Sequence, residues 1–215
     1  MKGRAQRALL AHTRPWHQHL EATVDIPRRL RDLATYRELL SRLWQVHVGI
    51  EAWLAANDWP RRRPSWELGR RRKAPLLASD LRACGGGAAP ADRLQPLAPP
   101  PSWQTEADVV GCLYVVEGAT LGGQVLSRLA AARLGVGPAS GGTFLAGYGR
   151  ATRAMWQGWL AVVERELQGD ERLARGCRVA TEAFALFHRG LVEPQGRPEP
   201  PTTAPAPPSE EDAPC

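Results

Sequence analysis

The sequence predicts an all-α fold: a single-domain, multi-helix bundle over residues 1–193, followed by a proline-rich tail at 194–215. Three observations carry that expectation. Apolar residues recur at three- and four-residue intervals along most of the chain. The two-residue alternation of a half-buried strand is nowhere sustained. A length of 215 residues, 43% hydrophobic and 23% charged, suffices for one well-buried core and is too short for two comfortable ones.

Taken in order, Thr13-Arg14-Pro15 reads as a helix beginning, with Thr13 as the cap and Pro15 in the first turn. A long amphipathic helix is predicted from Pro27 to about Asn57, where Leu33, Leu40, Leu43, His47, Ile50 and Leu54 share a helical spacing. The cluster from Trp59 to Pro64 interrupts it, and Trp66 to Arg82 reads as one or two short helices divided near Pro75. The arginine triplets at 61–63 and 70–72 are expected to be solvated. Residues 84–101 are rich enough in Gly and Pro to suggest a long surface connection. Thr105 with Asp108 has the pattern of a capping box, opening a helix that runs to a C-cap at Gly135. Two further helices are predicted at about Gly149 to Gln168 and Asp170 to Val192. The tail, EPQGRPEPPTTAPAPPSEEDAPC, lacks core-forming residues and is expected to be extended or disordered.

The bulk properties exclude some classes. No apolar run approaches the roughly 20 residues that span a bilayer, and the N-terminus breaks into charge before a signal-peptide core develops. A cytoplasmic protein with no membrane partner is expected. Cys84, Cys112, Cys177 and Cys215 lie far apart without CxxC spacing, which indicates free thiols rather than zinc ligands or disulfides. The net charge of +6 is carried by arginine, with Lys2 and Lys73 the only lysines. Such a surface attracts carboxylate-bearing ligands and acidic partners; no nucleic-acid motif accompanies it, so no nucleic-acid partner is expected.

Two segments suggest chemistry. Val116-Glu117-Gly118-Ala119-Thr120-Leu121-Gly122-Gly123-Gln124 places three glycines inside a strong helix pattern, each costing about 1 kcal/mol relative to alanine. Either another helix packs closely there, or a flat ligand lies against bare backbone; the spacing alone permits both. The second segment is Thr13-Arg14-Pro15-Trp16-His17-Gln18-His19-Leu20-Glu21, in which Glu21 follows His17 by one helical turn. A carboxylate on one imidazole nitrogen fixes the tautomer and makes the other a better metal ligand. An exposed surface pair has the same spacing, and His12 and His19, seven residues apart, form a rival face.

Together, in this order and at this separation, the two segments resemble the heme oxygenases. Thr13, His17 and Glu21 match an N-terminal helix with a threonine four before the axial histidine and a glutamate four after it. Gly118, Gly122, Gly123 and Gln124 match the family's distal Gly-x-x-x-Gly-Gly-Gln run, and LYVVEGATLGG from Leu113 to Gly123 is similar to the branch found with bacterial phytochromes. KAPLLASDLRACG (Lys73 to Gly85) and FLAGYGRATRAMW (Phe144 to Trp156) also resemble that branch, so the likeness spans roughly residues 5 to 190.

The resemblance implies a heme oxygenase-like bundle with heme b as both cofactor and substrate, its iron held by His17. Gly118, Thr120, Gly122 and Gly123 would form the catalytic distal face that steers bound oxygen to the alpha-meso carbon. Arg14, Glu21, Tyr114 and Glu117 would complete the heme site, with Arg150 and Arg153 as further candidates for the propionates. The implied products are biliverdin, carbon monoxide and ferrous iron. The implied partners are an electron-donor protein such as ferredoxin, flavodoxin or their reductase, and a bacteriophytochrome as the destination of the biliverdin. One position departs from the family pattern: the aspartate that commonly follows the first distal glycine is Ala119 here. A protein that holds heme without cleaving it is the alternative that this departure leaves open.

Overall fold

A computed structural model describes residues 3–85 and 95–192, and among these the regular structure is entirely helical. The expected tail lies outside the described residues. In chain order the helices are α1 (Arg4–Val24), α2 (Ile26–Arg29), α3 (Leu33–Ala56), α4 (Trp59–Arg62), α5 (Ala74–Ala83), α6 (Glu106–Leu134), α7 (Thr143–Ala146), α8 (Thr152–Glu166) and α9 (Asp170–Val192). Short 3-10 turns at Pro64–Trp66, Leu68–Arg71 and Gly149–Ala151 join some of them.

Several boundaries differ from expectation. Thr13 does not cap a helix: α1 begins nine residues earlier, and the Thr13 hydroxyl donates to the Leu9 carbonyl at 2.8 Å from a buried mid-helix position. Pro15 therefore sits inside α1, where it removes the amide that would bond the Ala11 carbonyl. The helix expected from Pro27 is two helices. Asp25 adopts a left-handed conformation (φ 43°) that ends α1, and its side chain accepts from the Arg28 amide to start α2. Asp32 then caps α3 by accepting from the Thr35 amide at 2.8 Å. Arg71 is another correction: it is buried, not solvated. The connection before α6 is not all surface either, since the Leu97 amide bonds the Gln45 carbonyl at 3.0 Å and Trp103 is buried with its indole donating to Glu182.

The capping box at α6 forms as expected, with Asp108 accepting from the Thr105 amide at 2.7 Å, and Gly135 ends the helix at φ 67°. Asp108 is fully buried and gripped by both Arg175 Nε and Nη2 at 2.7 and 2.8 Å, which ties the start of α6 to the start of α9. By length and composition α6 could cross a bilayer, but most of its apolar surface is buried against α8 and α9.

α9 is the spine of the molecule. Along α1 the pairings with α9 are Arg4 with Asp170, His17 with Phe184, and His19 with His188. Along α6 they are Asp108 with Arg175, and Gly111 against the backbone of Gly176 and Ala180. Gly111 is required at that crossing, because a Cβ there would run into the Gly176 carbonyl. Both α1 and α6 thus run in the same direction as α9, one on each side of it. The Glu164 carboxylate at the end of α8 accepts from the Ala5 and Gln6 amides at 3.1 and 2.8 Å, capping α1 from outside.

Candidate functional site

The parallel arrangement puts His17 and Gly118 at one level. One turn earlier on each helix, the Thr13 side chain lies near the Tyr114 phenol, which burial pushes up and Thr13 draws back down. At the far end, Arg133 near the close of α6 donates to the Pro27 carbonyl at 2.7 Å. Between these two junctions α1 and α6 touch little directly, and α9 lies beneath both. The space is a slot: α1 forms one wall, α6 the other, and Phe184 of α9 lies in edge contact with His17, ring centroids 5.9 Å apart. Leu121, Gly122 and Val125 on the α6 wall are exposed, as is His17 on the facing wall.

The imidazole of His17 is oriented by its own helix. Its Nδ1 lies 3.3 Å from Glu21 Oε2 one turn on, both side chains being largely exposed. A proton on Nδ1 facing that carboxylate leaves the Nε2 lone pair free for a metal. Arg14 is exposed on the same helix, one turn before His17.

The three glycines of the 116–124 run divide between the two roles that the spacing left open. A Cβ at Gly122 would meet nothing within 4 Å, and one at Gly118 would meet only the Trp156 ring, at 3.6 Å. Gly123 is different: a Cβ there would lie 2.9 Å from the Leu145 carbonyl oxygen, so this glycine permits a close backbone contact. Gly118 and Gly122 therefore bare the slot, while Gly123 seats the loop behind it. Trp156, in tilted contact with Tyr114 at 5.4 Å, closes the slot beside Gly118.

Glu117 and Thr120 are not brought together with His17. The Thr120 hydroxyl bonds its own helix at the Val116 carbonyl, and its methyl faces Gly147. Glu117 is 1% exposed and turned behind α6. Its Oε2 accepts from Arg71 Nη1 at 2.6 Å, its Oε1 accepts from the Tyr148 hydroxyl at 2.7 Å, and Lys73 Nζ lies 3.3 Å from Oε1. Lys73 also donates to the Tyr148 oxygen at 2.6 Å. Burial pushes the Lys73 ammonium down, opposed by the charge of Glu117, and burial likewise pushes the Tyr148 phenol up.

On that same rear side lies a cavity of about 520 Å³, lined by His47, Glu51, Lys73, Leu113 and Val116 among others. His47 is held neutral there, its pKa pushed down to about 3 by burial and secondarily by the Lys73 charge. Its ring sits edge-on to Phe144 and Phe187.

Sequence reasoning missed Arg71, Lys73, Tyr148 and His47. Lys73 carried a signal, as one of two lysines in a chain that otherwise uses arginine. Tyr148 lay inside a recognised stretch without a role attached to it. Arg71 sat in a triplet whose flanking members, Arg70 and Arg72, are indeed exposed, and nothing local distinguishes the middle one.

Among the described residues, the chain is thus an all-helical protein that carries an exposed imidazole beside a carboxylate on α1 and a glycine-bared stretch on α6. Comparisons with known proteins agree. The family model described as heme oxygenase matches residues 4–193. A protein named heme oxygenase from Xanthomonas campestris pv. campestris (strain 8004) is 34% identical over 164 residues, covering 75% of this chain and 91% of that one. The crystal structure of the NO- and CO-bound heme oxygenase from Neisseria meningitidis superposes with a TM-score of 0.70 at 20% identity, covering 87% of this chain and 89% of that one. The chain belongs to the heme oxygenase family, and its fold is the family's single all-helical domain.

Proposed function

We propose that the protein binds heme b in the slot between α1 and α6 and opens it at the alpha-meso carbon to biliverdin, with carbon monoxide and ferrous iron released. What supports this reading is the parallel run of α1 and α6 along α9: carried one turn on from the Thr13 and Tyr114 positions, it sets His17 opposite the Gly118–Gly122 stretch. The residues present suit the macrocycle: the α6 wall offers bare backbone where a Cβ at Gly122 would project into open space. When bound, heme supplies both the iron that activates oxygen and the carbon framework that is oxidised.

In this reading each residue has a role. His17 Nε2 would hold the iron, with Glu21 beside Nδ1. Arg14 offers a guanidinium at the slot edge that suits a propionate. Leu121 and Val125 would present apolar surface to a bound ring, and the missing side chains at Gly118 and Gly122 would let it approach the α6 backbone. Electrons come from an external donor protein such as ferredoxin, flavodoxin or their reductase. The LYVVEGATLGG run and the FLAGYGRATRAMW stretch support placement in the phytochrome-associated branch, with a bacteriophytochrome as recipient of the product and the cytoplasm as the place of action.

The test is aerobic incubation of the hemin-loaded protein with ascorbate. Decay of the Soret band with growth of biliverdin absorbance is expected. A heme spectrum that persists under air and reductant would instead establish a non-catalytic heme-binding protein. His17→Ala should abolish the strong-field iron spectrum and turnover together, while His12→Ala and His19→Ala should retain both.

A further inference from the structure

Over positions 117–124 the rear of α6 is held by one segment, residues 143–151. Glu117 accepts from Tyr148, and Thr120 meets Gly147 so closely that a Cβ on Gly147 would lie 2.5 Å from the Thr120 methyl. Gly123 rests on the Leu145 carbonyl, and Gln124 Nε2 donates to the Gly149 carbonyl at 2.9 Å. Positions 117, 120, 123 and 124 form one helical stripe; 118, 121, 122 and 125 form the stripe that faces the slot. The segment is itself anchored. The buried Asp80 carboxylate accepts from the Thr143 and Phe144 amides at 2.9 and 2.7 Å, and Lys73 holds Tyr148 both through its hydroxyl and from above its ring, 3.9 Å from the centroid. Gly147, at φ 58°, supplies the reversal that lets the chain return along α6.

The presence of Glu117 needs a reason. A carboxylate 1% exposed in the middle of an apolar helix is costly to desolvate, and two cations and a phenol offset that cost without making the cluster more stabilising than a packed leucine would be. What hydrogen-bonded charges provide that leucine does not is a single geometry. Arg71 extends that geometry outward, since it also donates to the Trp66 and Met155 carbonyls at 3.0 and 3.3 Å and lies over the Trp159 ring.

We infer that the Arg71–Lys73–Tyr148–Glu117 cluster and the 143–151 segment it anchors form a clamp that sets the height of the Gly118–Gly122 wall over the slot, making Tyr148 and Glu117 positioning residues for heme oxidation. This rests on the heme reading above. None of the four side chains faces the slot; they act through the backbone of α6. Loosening the clamp should leave the iron ligand and heme uptake intact, yet let the wall stand at more than one distance, so that attack on the ring loses its single direction.

The experiment compares the parent with Tyr148→Phe, which deletes one hydroxyl and keeps the ring over Lys73, and with Gln124→Ala, which releases the other end of the segment from outside the core. Hemin titration comes first. Parent and variants are expected to take up one equivalent with the same Soret maximum; failure of the parent to do so would overturn the heme reading and this inference with it. Amide exchange across 117–124 is then measured in the hemin-free and hemin-bound proteins, with about tenfold faster exchange expected in Tyr148→Phe, the size of effect that loss of one buried hydrogen bond produces. Turnover with ascorbate should give a single biliverdin isomer from the parent and a mixture from Tyr148→Phe, at unchanged hemin affinity. Asp32→Ala, which removes a distant helix cap and lowers stability by a similar amount, should keep both the parental exchange in α6 and the single isomer. Variants at 148 and 124 that bind hemin, exchange like the parent across 117–124 and yield the parent's isomer would overturn the clamp.

Discussion

Gly122 and Gly123 are adjacent, have the same intrinsic cost in a helix, and should respond to alanine in opposite ways. Either substitution gains about 1 kcal/mol of helix propensity. At Gly122 nothing opposes that gain in the hemin-free protein, because the new methyl meets no atom within 4 Å. The melting temperature should rise by about 2–4 °C, the shift expected per kcal/mol for a chain of this size. At Gly123 the methyl arrives 2.9 Å from a backbone carbonyl oxygen that cannot rotate away. Overpacking of this kind costs about 1–3 kcal/mol, which offsets the propensity gain and leaves the variant at best neutral and at worst about 2 kcal/mol less stable. Hemin affinity should show the reverse order. If heme occupies the proposed slot, Gly122→Ala puts a methyl against it and should weaken binding by about 5- to 150-fold, the same 1–3 kcal/mol expressed as a ratio. Gly123→Ala should stay within about threefold of the parent, a difference of less than 1 kcal/mol. Thermal unfolding of the hemin-free proteins and Soret titration with hemin read the two quantities separately. Gly122→Ala binding hemin like the parent, together with Gly123→Ala melting above it, would refute the division of labour between these glycines.

Two further predictions follow from the buried groups behind α6. Unfolded His47 titrates near 6.5 and the folded ring near 3, so below pH 6.5 the unfolded chain binds a proton that the native state refuses. Stability should therefore be insensitive to this group above about pH 7 and fall by about 1.4 kcal/mol per unit on acidification toward pH 3. His47→Phe should flatten that part of the profile in urea unfolding between pH 7 and 4, and parallel curves for parent and variant would count against a neutral buried ring. Arg71→Met strands the Glu117 carboxylate with one fewer cation and should cost about 3–5 kcal/mol, most of which Arg71→Met combined with Glu117→Leu and Lys73→Met, which leaves no unpaired charge in the cluster, should restore. A triple variant no more stable than the single one would show that the pairing is not the source of the loss.

Much of this molecule was legible from its residues, and the exceptions have physical causes. α6, α8 and α9 fell within a few residues of expectation because each is long and strongly periodic, with α6 marked by a capping box and a glycine stop. The start of α1 was misplaced because Thr13 and Pro15 have the chemistry of a first turn. Glu164, 151 residues beyond Thr13, supplies the cap instead, and such a partner is invisible to local pattern. The break at Asp32 was missed because apolar spacing continues across it, although Asp32 followed by Thr35 is itself a cap signal. In the site, His17 and Glu21 could be paired from spacing because their contact is one turn long. The Glu117 cluster could not, because its partners come from positions 71, 73 and 148, gathered by tertiary packing alone.

The dependence of both walls on α9 has a consequence for how the protein is made. His17 and the glycine wall have been synthesised long before Phe184 and the rest of α9 emerge, yet it is α9 that holds α1 and α6 level with each other. Contacts separated by more than 160 residues, such as Arg4 with Asp170, close last in a growing chain. A product that carries His17 and the glycines at 118, 122 and 123 but stops short of α9 therefore lacks the helix that sets α1 and α6 level with each other.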